Sequence, residues 1–341
     1  MIFDPPLAIC GQGAVSPYGT GVHPLIHGKQ ALEEQVPSRE KAQKSYRAYR
    51  ANFSKERLAY WQKEARLRRA PPIALFMMEA ASQACQGHLL DPKRLGIVST
   101  YFTGSIIYTQ RFFSEILEQG QRFASPILFP ETVFNSPTSH VANVLRCSGP
   151  CYSIVGDESS WTHAVSIAAG WLNSRLVDYV LVIGAEELEP VVLDAYAQAR
   201  WIRSNGKFIP SEGAGALLLR RAYPEDRYRI CQVSEGFTYR NPIQARRSAR
   251  TCMEQFPEKQ KVFRTSEYNW FSKIEDELHQ ERKLISPASF PYAGEAFTAS
   301  AAWHTIRALS CLSEEWDRLV VPTWGLNEQC SALLLGFAAE K

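Results

Sequence analysis

Cys151-Tyr152-Ser153-Ile154-Val155-Gly156-Asp157-Glu158-Ser159-Ser160 leads into a run of small residues from Thr162 to Arg175 and then into Asp178-Tyr179-Val180-Leu181-Val182-Ile183-Gly184. The first five residues read as a strand, Gly156 to Ser160 as a sharp turn, and Thr162 to Arg175 as a helix whose small side chains permit close packing. Asp178 to Gly184 reads as a second strand, apolar on both faces. Strand, tight turn, buried helix and strand make a right-handed crossover unit, and the end of its first strand is an elbow that presents side chains at a helix N-terminus. An α/β fold follows.

Upstream, Leu7 to Cys10 reads as a buried strand that breaks at Gly11, Gly13 and the turn Ser16-Pro17-Tyr18-Gly19. A polar stretch to Arg69 is predicted helical. Lys and Arg recur between Arg39 and Arg69 among Tyr46, Tyr49, Tyr60 and Trp61, which reads as a solvated helix face. After Pro71-Pro72, Ile73 to Gly87 predicts a buried helix, Leu95 to Thr100 a strand, and the residues around Arg111 to Gln119 another helix; Pro126 to Pro137 is a proline-rich loop. Downstream, Ala216 to Leu219 reads as a strand ending at Arg220-Arg221, which closes a first half, residues 1–221. In residues 222–341 the plan repeats: a strand at Tyr228 to Val233, a charged helix at Lys273 to Lys283, a turn at Gly294, a small-residue helix from Ala296 to Leu309, and a strand from Ser331 to Phe337.

Composition sets limits on function. The 341 residues are 45% hydrophobic and 21% charged, which is ordinary for a folded globular chain of about two domains. The net charge of +3 comes from 38 basic and 35 acidic residues, so no global field would recruit nucleic acid. The opening MIFDPPLAICGQG has no basic leader, and no run of 18 apolar residues occurs, so a cytoplasmic location without a membrane span is expected. Eight scattered cysteines suit reduced thiols. Cys147 and Cys151 are the closest pair, but no second pair and no His at ligand spacing accompany them, so neither metal nor cofactor is expected.

Three segments resemble the β-ketoacyl-ACP synthases in order and spacing. Ile9-Cys10-Gly11-Gln12-Gly13-Ala14-Val15-Ser16-Pro17-Tyr18-Gly19 is similar to that family's first strand and turn. Ser148-Gly149-Pro150-Cys151-Tyr152-Ser153-Ile154 is similar to the strand that leads to its nucleophile, and Ser211-Glu212-Gly213-Ala214-Gly215 to its Gly-Glu-Gly-Ala-Gly signature. Asn135 and His140 sit where the family has an Asn and a His; His140 and His163 read as structural. The resemblance implies a thiolase fold, two similar α-β-α-β-α halves in a five-layered arrangement, and a dimer formed across the first half.

The chemistry of that family asks for a Cys at the elbow, whose thiolate takes an acyl chain from a carrier protein, and two His that polarise a malonyl thioester during decarboxylation. By the resemblance, Glu158 stands at the nucleophile position and Glu295, in Gly294-Glu295-Ala296, at the second His. Arg264, in Arg264-Thr265-Ser266, stands at the first. Asp157, Ser159 and Ser160 are elbow neighbours read as helix caps, and Trp324-Gly325-Leu326-Asn327 takes the place of the family's Gly-Phe-Gly-Gly gate loop. Glu158, Arg264 and Glu295 together read as a buried ion cluster with an Arg between two carboxylates, or as a repurposed acid/base site.

A synthase without its catalytic set resembles a chain length factor, a subunit that pairs with an active synthase in fatty-acid-like, polyketide or aryl polyene biosynthesis and shapes its acyl tunnel. Such subunits carry Gln at the elbow, where this chain has Glu. In that reading Phe129, Thr132, Phe134 and Asn135 lie at the interface, and Phe134 is the candidate tunnel block. The partner would be an active synthase, or a second copy of this chain, with acyl carrier protein as a further partner. The alternatives are an enzyme using Glu158 on a carrier-bound thioester, as hydrolase or decarboxylase, and a homodimeric scaffold.

Overall fold

The computed structural model describes residues 1–40, 43–202, 208–257, 261–266, 271–282 and 290–338. Strand β1 (Ile2–Ser16) is long because its apolar residues, Leu7, Ala14 and Val15 among them, bury themselves in the sheet, while Gly11 and Gly13 leave room for a helix backbone to lie on it. A Cβ on Gly13 would stand 2.1 Å from the carbonyl oxygen of Ala80. Strand β2 (Gly19–Thr20) turns back on the end of β1 through Gly19 at φ 144°, and α1 (Val22–His27) follows.

The polar stretch to Arg69 departs from the helix predicted for it. Only α2 (Lys55–Lys63) is helical; before it, β3 (Glu33–Pro37) and β4 (Ser45–Tyr49) form an antiparallel hairpin. The reason is a period of two. Tyr46 and Ala48 turn inward and Arg47 outward, so the aromatic residues read as one helix face sit on a pleated ribbon instead.

The crossover unit forms as predicted, from β6 (Cys151–Val155) through α6 (Ser160–Asn173) to β7 (Tyr179–Glu186). Between the hairpin and this unit lie α3 (Pro72–Ala84), β5 (Leu95–Tyr101), α4 (Ile106–Gln119) and α5 (Ser136–Val144). After it come α7 (Pro190–Gln198), β8 (Gly213–Arg221), β9 (Tyr228–Val233), β10 (Phe237–Thr238) and α8 (Pro242–Glu254). The chain closes with β11 (Lys261–Val262), α9 (Ser272–Arg282), α10 (Thr298–Leu309), β12 (Arg318–Trp324) and β13 (Gln329–Phe337). The charged helix predicted to Lys283 is α9; Lys283 itself lies outside the described residues.

The main sheet runs β11-β12-β13-β9-β1-β8-β7-β5-β6. The strands before Arg221 form one side of this order, those from Tyr228 the other, and the two meet where Leu7 of β1 pairs with Ile230 of β9. Helix α3 lies on β1, β8 and β7, and α5 on β5 and β6. Helices α6 and α10 fill the middle, touching strands of both sides, and α8 covers β13 with α9 beside it. Five layers of helix and sheet result. Small residues let the middle layer approach: a Cβ on Gly184 would meet the Thr298 carbonyl oxygen at 2.2 Å. Trp161 and Trp303 fill this layer, their Nε1 groups donating to Thr305 Oγ1 and to the Ala214 carbonyl, each at 3.0 Å. Among the described residues no helix is long and apolar enough to cross a membrane.

Because Trp161 is fully buried and hydrogen-bonded between α6 and α10, Trp161→Ala is expected to cost roughly 3–5 kcal/mol in urea denaturation, and Trp161→Phe much less.

Candidate functional site

The elbow is built where β6 ends and α6 begins. Asp157 and Glu158 are both buried there. Asp157 accepts from the Ser159 N–H at 3.2 Å with one oxygen and from the Asn327 N–H at 3.0 Å with the other. Glu158 Oε2 accepts from the Leu326 N–H at 3.2 Å, and Glu158 Oε1 has no hydrogen-bond partner among the described residues. Ser160 Oγ donates to the Asp157 carbonyl at 2.7 Å and Ser159 Oγ to the Thr323 carbonyl at 3.1 Å. The two serines therefore brace the elbow instead of capping α6 with their side chains; the cap-like acceptor is Asp157.

Burial drives the electrostatics. Loss of hydration raises the Asp157 carboxyl to about 7, against the pull of its N–H donors. Glu158 is raised well above the carboxylate range, by burial first and then by the charges of Glu295 and Asp157. Glu295 sits just ahead of α10, where its Oε1 accepts from the Phe297 N–H at 3.1 Å and its main chain bonds to Ile209 and Ser211. Phe297 takes φ 44°, a left-handed conformation costly for an aromatic residue.

Arg264 does not join this cluster. Its guanidinium pairs with Asp276 at the surface, while the next residue, Thr265, faces inward. Glu275 fixes the segment by accepting from the Thr265 N–H at 3.1 Å and the Ser266 N–H at 2.9 Å, and this turns Arg264 out. Arg264 thus does not supply the expected balance of the two carboxylates, and burial instead favours the neutral form of Asp157 and Glu158. His304 of α10 lines the same cavity as Glu158, Glu295 and Thr265, although no His had been assigned there. Burial and Arg307 push it down to about 3, so it is a neutral wall. The signal that could have found it was helical spacing: Ala301 and His304, three apart, share the face turned to the cavity.

That cavity measures about 10 Å³, room for roughly one water molecule. The gate-loop counterpart closes it. Trp324 is the last residue of β12, stacks on Phe271 at 5.6 Å and donates through Nε1 to Glu275 at 3.1 Å. Leu326 and Asn327 donate their N–H groups to the elbow acids, and a Cβ on Gly325 would stand 2.1 Å from Asp157 Oδ2. Beside them Phe297 packs against Phe102 at 4.7 Å, Tyr196 at 5.4 Å and Trp201 at 5.6 Å. The Leu326 N–H at the elbow is thus occupied by the protein's own carboxyl, with a block of aromatic rings packed beside it. Among the described residues no group of His, Cys, Asp and Glu has the arrangement of a metal site.

Phe129, Thr132, Phe134 and Asn135 lie toward the β6 end of the sheet, and Phe134 is near the elbow: its carbonyl accepts from the Tyr101 hydroxyl, and the Tyr101 carbonyl accepts from the Gly156 N–H at 3.1 Å. Phe129, Phe134 and Asn135 are exposed, and Thr132 is half-buried. Phe134 and Asn135 line a groove of about 420 Å³ with Thr138, Ser139 and residues of β6. His140 is structural, bonded to Glu131 at 2.9 Å and to the Arg66 carbonyl at 3.1 Å. The sequence reading missed how bare this edge is: α4 has no fully buried residue despite Ile106, Ile107, Phe112, Phe113, Ile116 and Leu117.

The family sequence pattern described as beta-ketoacyl synthase, N-terminal domain, matches residues 4–224. The fold is shared with the ishigamide ketosynthase/chain length factor, at TM-score 0.79 and 16% identity over 98% of this chain and 100% of that one. It is shared also with a ketosynthase in complex with its chain length factor from Xenorhabdus doucetiae, at TM-score 0.71 and 14% identity over 98% of each chain. A beta-ketoacyl synthase from Burkholderia phymatum aligns at TM-score 0.78 and 13% identity over 98% of this chain and 100% of that one. No curated protein matches the sequence. These structures place the chain in the thiolase fold.

The elbow acids give stability a sign with pH. Their folded-state pKa values lie above the unfolded ones, so the folded protein holds more protons from about pH 4 upward, through about 7 for Asp157 and further for Glu158, and stability falls as pH rises through that range. Thermal melting is expected to drop from about pH 5 to about pH 9, and Glu158→Gln to flatten the drop and stabilise by roughly 1–3 kcal/mol at about pH 8.

Proposed function

The chain belongs to the beta-ketoacyl synthase family, and from that membership we propose that it is a non-condensing subunit of the chain length factor type. In this reading it pairs in the cytoplasm with an active β-ketoacyl-ACP synthase, shapes that partner's acyl tunnel in fatty-acid-like, polyketide or aryl polyene biosynthesis, and is visited by acyl carrier protein. Glu158 and Glu295 then stand at the positions of the lost Cys and second His, while Arg264, the expected counterpart of the first, is turned out to Asp276.

The observation that carries the reading is the elbow itself: Glu158 binds the Leu326 N–H across a cavity of about 10 Å³. Neither a thiolate nor space for an acyl group is present, and a carboxyl is a poor acyl acceptor because its mixed anhydride is labile. Function is left to the surface. Between Phe113 and Val155 lie nine of the exposed large apolar side chains of the described residues, including Phe129, Phe134, Tyr152 and Val155. Strand β6, at the end of the sheet, runs through this patch with one row of backbone groups unpaired. An unprotected edge of this kind calls for a covering chain.

Co-expression with a cysteine-containing synthase of the same source is expected to give a stable heterodimer by sizing and mass, and Phe134→Asp to weaken it at least tenfold. Incubation with acyl carrier thioesters is expected to leave this subunit without an acyl adduct. A homodimer that never captures the synthase, or turnover abolished by Glu158→Gln, would sink the proposal.

A further inference from the structure

One group of reactive side chains lies outside the elbow. Cys147 and Cys151 bracket Ser148-Gly149-Pro150 at the entry to β6, and their Sγ atoms are 3.9 Å apart, in van der Waals contact. Cys151 is exposed, alone among the eight cysteines, and Cys147 is half-buried. The backbone holds them in place. Arg146 turns the chain out of α5 at φ 54°, the Cys147 N–H bonds to the Ala142 carbonyl at 2.8 Å, and the Ile97 N–H bonds to the Pro150 carbonyl at 3.0 Å. Gly149 lies so close to β5 that a Cβ there would meet the Leu95 carbonyl oxygen at 2.1 Å. The other two cysteines near enough to influence each other, Cys252 and Cys330, are both buried.

We propose that Cys147 and Cys151 form a thiol–disulfide exchange site that small-molecule disulfides such as glutathione disulfide close reversibly into an intramolecular bridge. One thiolate of the pair attacks a sulfur of the small disulfide and expels the first small thiolate. The second cysteine, deprotonated, then attacks its neighbour's sulfur and expels the other. Two protein thiols are oxidised to one disulfide, one small disulfide is reduced to two thiols, and the two protein protons pass to the small thiolates. The Cys151 thiol hydrogen-bonded to Cys147 lowers the latter to about 7 and is itself pushed up, so the thiolate available at neutral pH is that of Cys147. Closure costs the hydrogen bond that Cys147 Sγ donates to the Leu95 carbonyl at 3.0 Å. The loop closed is short, so the entropic gain is small and the bridge stays easy to reduce. Cys151 lines the groove that the proposed partner would cover, so the exchange is read on the unpaired chain.

The test exposes the reduced full chain to excess glutathione disulfide, alkylates the remaining thiols and maps the peptides by mass spectrometry. A Cys147–Cys151 bridge, two fewer alkylated thiols, an unchanged circular dichroism spectrum and full reversal by dithiothreitol are expected. Cys147→Ser should instead trap glutathione on Cys151. Alkylation of both cysteines in the wild type, accumulation of a stable glutathione adduct on wild-type Cys151, or failure of Cys151 to react in the Cys147→Ser variant overturns the proposal.

Discussion

Carboxyl groups taken out of water and held by main-chain N–H groups organise this protein. Glu79, Asp157, Glu158, Glu186, Glu187, Asp194, Glu212 and Glu275 are all buried; Glu79 pairs with Arg57 and Glu212 with Arg50. The others lean on peptide donors: Glu186 on Thr103, Glu275 on Thr265 and Ser266, Asp194 on Arg39. Each of these donors would be left unsatisfied inside the protein if its acid became apolar, so the acids fix the loops that surround the middle layer. The same burial raises Glu186 and Glu187 to about 8. At Asp157, Glu158, Glu186 and Glu187 burial favours the neutral form, whereas at Asp194 the hydrogen bonds from Ser38 and Tyr46 outweigh burial and hold it below its usual value.

The elbow is the functional expression of this habit. A helix N-terminus between two sheets gathers backbone donors that could stabilise a negative charge on a substrate. Here two consecutive acids at the head of α6 accept from the loop after β12, and so lock the elbow to that loop.

The sequence showed the crossover unit because its strands and helix differ sharply in period and side-chain size, and it showed both acids of the elbow. It placed Arg264 in the cluster, but extended backbone alternates faces, and the Glu275 hydrogen bonds turn the neighbouring Thr265 inward instead. It took the hairpin at Ser45–Tyr49 for helix because polar residues with interspersed tyrosines fit both periods; pairing with Glu33–Pro37, a long-range choice, settled it. His304 escaped notice because its helix reads as pure packing: spacing sets it on one face with Ala301 but does not say that this face meets a cavity shared with distant loops.

Glu187 touches two helices at once. One oxygen accepts from the Ile73 N–H at the head of α3, at 3.0 Å, and the other from the Ile107 N–H at the head of α4, at 3.1 Å. Helix α3 in turn rests its Ala80 and Ala84 carbonyls against Gly13 and Gly11 of β1, with no side chain between to absorb displacement. A single carboxyl therefore works as a rigid pin: whatever pushes on the bare outer helix α4 is geared, through that pin and α3, to the strand at which the two sides of the sheet are joined.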